Sequence, residues 1–366
     1  MPPFIRRAKG CRLWDLDGRE YIDFRCALGP IILGYQHPAV DEAVRAQMSC
    51  GVLFSMASPV ELEAAEAVLQ NVPWIEQVRF LKTGADACTA CVRLARAFTG
   101  RDHVLSVGYH GYHDWSVADW PNSGVPATVR AYTHVVPYGD VPAAERAFAD
   151  WGEQLAAAIV EPYDWQHPDG APFLRRLREL CDTHGALLIY DEVLTGFRLA
   201  RGGAQEYFGV TPDLAAYAKA MANGYPLSAF AGKRRFMQQL EKTVITITHG
   251  GETLSLAACK ATMEVMQAEP VHEHIFAMGE RLMKGLAEIV QEFHAPVKII
   301  GLPPAPVVTF ATGEPQRDTQ LRNAFFDELY AAGIFANDRW FISYAHQPED
   351  IDLTLERARQ TLKKLL

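Results

Sequence analysis

The chain has 366 residues, 49% of them hydrophobic and 22% charged; this excludes a disordered chain or a coiled coil and allows two domains, or one large domain with a smaller lobe. The net charge of −9 is spread without long like-charge runs, so no nucleic-acid or anionic-membrane partner is expected. No apolar run reaches membrane-span length, "MPPFIRRAKG" lacks a signal-peptide core, and seven scattered cysteines make no disulfide framework, so a reduced, cytoplasmic setting is expected.

In chain order, "GCRLWDLDGREYIDF" reads as a hairpin turning at Asp17-Gly18. "PAVDEAVRAQM" and "SPVELEAAEAVLQNV" follow as helices, the second with Ser58 as N-cap, Pro59 in the first turn and Glu61 three residues after Ser58. From about residue 78, short apolar runs alternate with helical segments: "QVRFLKT", "HVLSVG", "LAAAIVEP", "ALLIYDEV", "DLAAYAK" and "LSAFAG". That alternation predicts a mostly parallel sheet covered by helices. "VHEHIFAMGERLMKGLAEIVQEF" reads as a long amphipathic helix, "VKIIGL", "APVVTFAT" and "GIFANDRWFISYAH" as strands, and "PEDIDLTLERARQTLKKLL" as a terminal helix. The expected organisation is an N-terminal segment 1–55 belonging to a small lobe, a large domain 56–268 and a C-terminal small domain 269–366.

Ligands of open parallel sheets lie beyond the carboxyl ends of the strands, so the residues ending the apolar runs carry the chemistry. Thr83-Gly84-Ala85-Asp86 turns from a strand into a helix, and its free N–H groups suit a phosphate; a glycine needed for turn geometry alone is the plainer reading. Tyr109 and His110 can stack on or hydrogen-bond a flat ligand, or belong to an aromatic loop with satisfied tips. Glu161 and Asp191-Glu192 place acids where burial stops: a metal ligand, a base, a partner for a protonated ring nitrogen, or a cap or surface ion pair.

Lys219 ends the apolar run "DLAAYAK", and lysine is rarely inside unless paired or reactive. A desolvated lysine has a lowered pKa and forms a Schiff base with an aldehyde. Pyridoxal phosphate joins such a lysine to an acidic partner for its pyridine nitrogen, the role open to Asp191. Cys88-x-x-Cys91 or His110-x-x-His113 offers a zinc alternative, but one helical turn separates packing residues equally well and there is no second cysteine pair, so no metal is expected. A scaffold that has lost catalysis is a further alternative, against which the retention of Lys219, Asp191 and Thr248 together argues.

The segments "PFIRRAKGCRLWDLDGREYIDF", "GPIILGYQHPAV", "RLARAFTGRD", "YHGYHD", "DEVLTGFRLARGGAQEYFGVTPDL", "THGGETLSLAA" and "AHQPEDID" run through nearly the whole chain. By them it resembles the class III, subgroup II pyridoxal-phosphate aminotransferases, and most closely the glutamate-1-semialdehyde aminomutases. The resemblance implies an α/β protein of fold type I, aspartate aminotransferase-like, with a mostly parallel central sheet in a large domain plus a smaller α+β domain. It also implies roles: Lys219 as Schiff-base lysine, Asp191 as partner of the pyridine nitrogen, and Val193 and Tyr109 on the two ring faces with His110 beside Tyr109. Gly84 and Ala85 match the phosphate turn, Glu161 the family's Glu-Pro strand end, and Thr248 a threonine reaching the neighbouring subunit's cofactor phosphate. A homodimer with shared active sites follows, using a small-molecule amino donor and a carbonyl acceptor through a pyridoxamine phosphate form.

Departures fall on the substrate side. An N-terminal segment with an arginine for the substrate carboxylate has no counterpart, Leu28 replaces the tryptophan of Ser-Trp-Gly-Pro, Gln166 stands for an asparagine, and Asp338 falls near the aminomutase's gating glutamate. The expected activity is therefore an aminotransferase acting on a carbonyl compound such as a sugar or another biosynthetic intermediate. An aminomutase and an epimerase or racemase of the same fold are the alternatives. Arg198 and Arg339 are candidate carboxylate ligands, Arg198 being the more architectural of the two.

Overall fold

The computed structural model describes residues 4–120 and 124–366. The chain forms two compact units, one from residues 1–41 and 268–366, the other from 42–267. The division thus falls inside helix α1 (Pro38–Met48).

In the first unit, β1 (Ile5–Lys9), β2 (Arg12–Asp15) and β3 (Glu20–Asp23) form an antiparallel meander, and the β2–β3 turn carries Gly18 at φ +83°, where a side chain would be strained. The second unit begins with most of α1 and α2 (Pro59–Asn71), then holds seven strands: β4 (Gln77–Leu81), β5 (His103–Val107), β6 (Thr133–Val135), β7 (Leu155–Val160), β8 (Leu187–Glu192), β9 (Leu214–Tyr217) and β10 (Ser228–Gly232). Returning to the first unit, β11 (Val297–Ile300) pairs with β12 (Val307–Phe310), and β13 (Ile334–Phe335) adds parallel to β3. Of "GIFANDRWFISYAH" only these two residues of β13 make a strand.

The large sheet runs β4-β10-β9-β8-β7-β5-β6. All strands are parallel except β10, which pairs antiparallel with both β4 and β9. β7, β8 and β9 are buried at every position, which explains why they read as unbroken apolar runs rather than as alternating strands. Fully burying one side chain such as Ile159 or Ile189 contributes about 1.5–3 kcal/mol.

Helix α3 (Gly84–Thr99) lays Ala87, Cys88, Ala90, Cys91, Leu94 and Ala95 into that core. Its start is fixed by a capping box: the Thr83 hydroxyl accepts from the Asp86 N–H at 3.1 Å, and the Asp86 carboxylate accepts from the Thr83 N–H at 3.0 Å. Ser58 does occupy the N-cap of α2 but makes no cap hydrogen bond. Glu61 there supports the helix as a negative charge in its first turn.

Candidate active site

β8 and β9 pair in parallel with Asp191 opposite Ala216 and Glu192 opposite Tyr217. Asp191 is the penultimate residue of β8, and Lys219 follows two residues after the end of β9, so both emerge at the same carboxyl edge. β5 and β7 deliver Tyr109, His110 and Glu161 to that edge, because β5, β7 and β8 are consecutive and parallel. β4, antiparallel to β10 as β9 is, ends in the same direction and feeds Gly84 and Ala85.

Asp191 is 4% exposed. Its Oδ2 lies 2.8 Å from His110 Nδ1, and its Oδ1 accepts from the Val193 N–H at 3.0 Å. His110, 1% exposed, stacks on Trp115 and, among the described residues, leaves Nε2 without a hydrogen-bond partner. The sequence suggests His110 beside Tyr109 against a ligand; in the fold its side chain is buried against Asp191 while Tyr109 is exposed. Cys88 is the third member of this cluster, its Sγ within 4.8 Å of the Asp191 and His110 ligand atoms. Burial first, and the nearby Asp191 second, push the Cys88 thiol well above its ordinary range, so it remains a neutral hydrogen-bond donor to the carboxylate. Cys88 turns to Asp191, while His113 Nδ1 lies 2.7 Å from the Thr89 hydroxyl.

Lys219 is half-buried and opens a 3₁₀ turn with φ +45°, a left-handed backbone that costs a non-glycine residue about 1–2 kcal/mol. Strain of this kind persists where the surroundings over-determine it, and it is common at functional sites. Tyr109 is 51% exposed, its N–H donating to Glu161 Oε2 at 3.2 Å. Val193 is half-buried and fills the space beside Gly84, where an added Cβ would lie 2.8 Å from Val193 Cγ2. An added Cβ at Gly111 (φ +96°) would lie 2.4 Å from the Ala85 Cβ, so neither Gly84 nor Gly111 leaves room for a side chain of its own.

Thr248 is exposed in the segment before the helix Thr253–Ala268. That segment is tied to the sheet by Lys82, whose Nζ lies 2.9 Å from Glu252, while Glu252 also accepts from the Ser255 hydroxyl at 2.5 Å. Arg198 is 1% exposed in the turn after β8, a placement that makes it architectural. In the other unit, Arg339 bridges to Val307, Asp338 pairs with Arg322, and Leu28 is 56% exposed. Gln166 is an exposed turn residue whose N–H donates to Asp164.

A family model for class-III aminotransferases matches residues 1–336. The chain is 38% identical to glutamate-1-semialdehyde 2,1-aminomutase of Syntrophobacter fumaroxidans over 98% of its own length and 89% of that protein's. This chain belongs to the class-III aminotransferases. The enzyme is also 34% identical to 3-aminobutyryl-CoA aminotransferase of Cloacimonas acidaminovorans, covering 100% of this chain and 91% of that one. Among solved structures it resembles the FumI protein of Sphingopyxis sp. MTA144 at 30% identity and TM-score 0.93, covering 100% of this chain and 90% of the other. The fold is that of the pyridoxal-phosphate transaminases of fold type I, and the residues at the strand ends fit this cofactor. Asp191 is a buried carboxylate preset by two donors, the α3 start presents only Gly84 and Ala85 with Val193 packed beside them, and an aromatic ring stands exposed at Tyr109.

Glu192, adjacent to Asp191, is fully buried and binds the loop that follows β8. Its carboxylate accepts from the Thr195 hydroxyl at 2.5 Å and from the Ala204 N–H at 2.8 Å. Burial pushes its pKa up to about 7 from 4.5, against the pull of those donors and with the help of Asp191. Because the folded state holds this proton more tightly than the unfolded chain, the contribution to stability is fully present below pH 4.5 and is lost as pH rises through 7. The span is worth roughly 3 kcal/mol. In urea unfolding of the aminotransferase at a series of pH values, the wild type is expected to lose stability relative to Glu192→Gln between pH 5 and pH 8; parallel curves would refute this.

Proposed function

We propose that this class-III aminotransferase moves an amino group from an amino-acid donor to a separate carbonyl acceptor at the carboxyl edge of its large sheet. The observation that supports this reading most is the parallel β8–β9 pairing, which brings Asp191, near the end of β8, and Lys219, just after β9, to one edge.

Pyridoxal phosphate, when bound, supplies an electron sink for the carbon losing its proton. Asp191 would hold a proton on the ring nitrogen, since a buried carboxylate favours a cation beside it. His110 Nδ1, 2.8 Å away, keeps that carboxylate oriented. Lys219 Nζ is the group that takes and returns the substrate proton, and its fixed turn limits where that proton is delivered. Gly84 and Ala85 would bind phosphate through N–H groups at the start of α3, aided by the helix dipole. Val193 and Tyr109 would cover the ring and exclude water, and Glu161 fixes the backbone of Tyr109.

The test is a titration of the purified enzyme with amino donors, first alone and then with added carbonyl compounds. Turnover that requires a stoichiometric external acceptor supports the aminotransferase. The 38% identity to an aminomutase favours a second reading, an intramolecular transfer, and conversion of glutamate 1-semialdehyde with no acceptor would establish it instead.

A homodimer with shared sites is part of this proposal. Exposed apolar side chains at Phe54 (45%), Met56 (81%), Leu62 (63%) and Val244 (77%) suit burial against a second copy, and exposed Thr248 suits a phosphate held by that copy. Sedimentation is expected to give twice the chain mass, and Thr248→Ala to weaken cofactor retention by about tenfold while leaving the dimer intact. A monomeric wild type that still turns over would overturn this part.

A further inference from the structure

The unit formed by residues 1–41 and 268–366 holds a cavity of about 470 Å³. Most of its wall surface is apolar, from Ile5, Leu13, Leu28 and Phe335, and its charged and polar lining comes from Arg25, Asp23 and Tyr35 together with Arg6 and Arg7 on β1. Arg25 is half-buried, and among the described residues it makes no ion pair. The two acids whose charge it feels are engaged elsewhere. The Asp23 carboxylate accepts from the Tyr35 hydroxyl at 2.9 Å, from the Arg25 backbone N–H at 2.7 Å and from the Cys26 N–H at 3.2 Å. Asp338 pairs with Arg322 at 3.2 Å. Burial pulls the Arg25 pKa down in spite of the pull upward from Asp23 and Asp338, the direction expected of a cation taken from water without a close counter-ion.

The turn that follows is held under strain. Cys26, Ala27 and Leu28 are consecutive non-glycine residues at φ +45°, +53° and +70°, each costing about 1–2 kcal/mol. The Leu28 N–H donates to the Arg25 carbonyl at 2.8 Å, the Gly29 N–H to the Cys26 carbonyl at 2.9 Å, and the Cys26 thiol to the Phe341 carbonyl at 3.4 Å, which locks the turn in place. Its result is a large apolar side chain, Leu28, left 56% exposed on the cavity wall close in sequence to an unpaired guanidinium. A fork of N–H donors matches a carboxylate in two-point geometry, and the apolar part of the wall suits an apolar body attached to it.

We propose that this cavity binds a small carboxylate with an apolar body, its carboxylate on Arg25 and its body against Ile5, Leu28 and Phe335. Arg25 offers that carboxylate a guanidinium from the segment directly after β3.

Isothermal calorimetry of the full-length holoenzyme tests this with acetate, hexanoate, 3-phenylpropionate and 3-phenylpropionamide. 3-Phenylpropionate is expected to bind about tenfold or more tighter than both acetate and the amide. Arg25→Met is expected to abolish the preference for acid over amide, Arg25→Lys to keep part of it, and Leu28→Ala to weaken hexanoate and 3-phenylpropionate but not acetate. Equal binding of acid and amide, retention of the preference in Arg25→Met, or no saturable binding by any of the acids would overturn the proposal. Should Arg25→Met fail to fold, the wild-type comparison and Arg25→Lys decide. The visible absorption of the cofactor is recorded in the same samples, so an intact acid preference with no such absorption counts against the cofactor assignment alone.

Discussion

Lys219→Ala is expected to lower turnover by at least about 10³-fold, because it removes the group proposed to move the substrate proton. The variant should also fail to develop the visible absorption that wild type shows with added pyridoxal phosphate, and dialysis should strip the cofactor from it. Stability should change little. Alanine at φ +45° carries the same left-handed penalty as lysine, so the backbone strain is untouched. Lys219→Gly gives an internal check, since it relieves about 1 kcal/mol of strain while being equally inactive. Retained turnover in either variant would remove Lys219 from the mechanism.

Asp191→Asn is expected to cost about 10²- to 10⁴-fold in turnover while leaving the Lys219-dependent visible absorption in place. An amide cannot balance a proton on the ring nitrogen, but it keeps the size of the side chain and still accepts one hydrogen bond. Asp191→Ala should do more harm to the fold. It strands His110 Nδ1 and the Val193 N–H in a buried place, at about 1–3 kcal/mol for each unsatisfied group. A thermal midpoint lower for the alanine variant than for the asparagine variant, with both inactive, is the expected pattern. Near-wild-type turnover in Asp191→Asn would show that the ring nitrogen has no need of the charge.

Much of this site is legible in the sequence. The runs "LLIYDEV" and "DLAAYAK" are apolar throughout because their strands are covered on both faces, and a run that stops at a charged residue marks where the sheet opens to a ligand. The Gly84 turn is legible for a similarly local reason, since Thr83 and Asp86 stand three residues apart in a capping box. β6, three residues long, gives no such signal, and β10 reads as one more strand with no mark of its antiparallel direction.

His110 stands out in the sequence but its neighbour does not, because its partner Asp191 is 81 residues away and nothing in "YHGYHD" points to it. Cys88 reads as helix packing or as half of a cysteine pair. Its place four residues after Gly84, on the same helical face, is the available clue that it points toward the strand ends. Arg25 carries no local sign that its charge goes unmatched; that depends on where Asp23 and Asp338 spend theirs.

The alternation of strands and helices, the strand ends, the lysine and aspartate placed there, and the family are all set within the sequence. They follow from local period, turn chemistry and burial along single segments. Which strands are neighbours, the convergence of Cys88 and His110 on Asp191, the desolvation of Glu192 and the lack of an ion pair at Arg25 among the described residues come from the tertiary structure alone. Those features arise between residues far apart in the chain, where the physics is set by proximity and desolvation rather than by spacing.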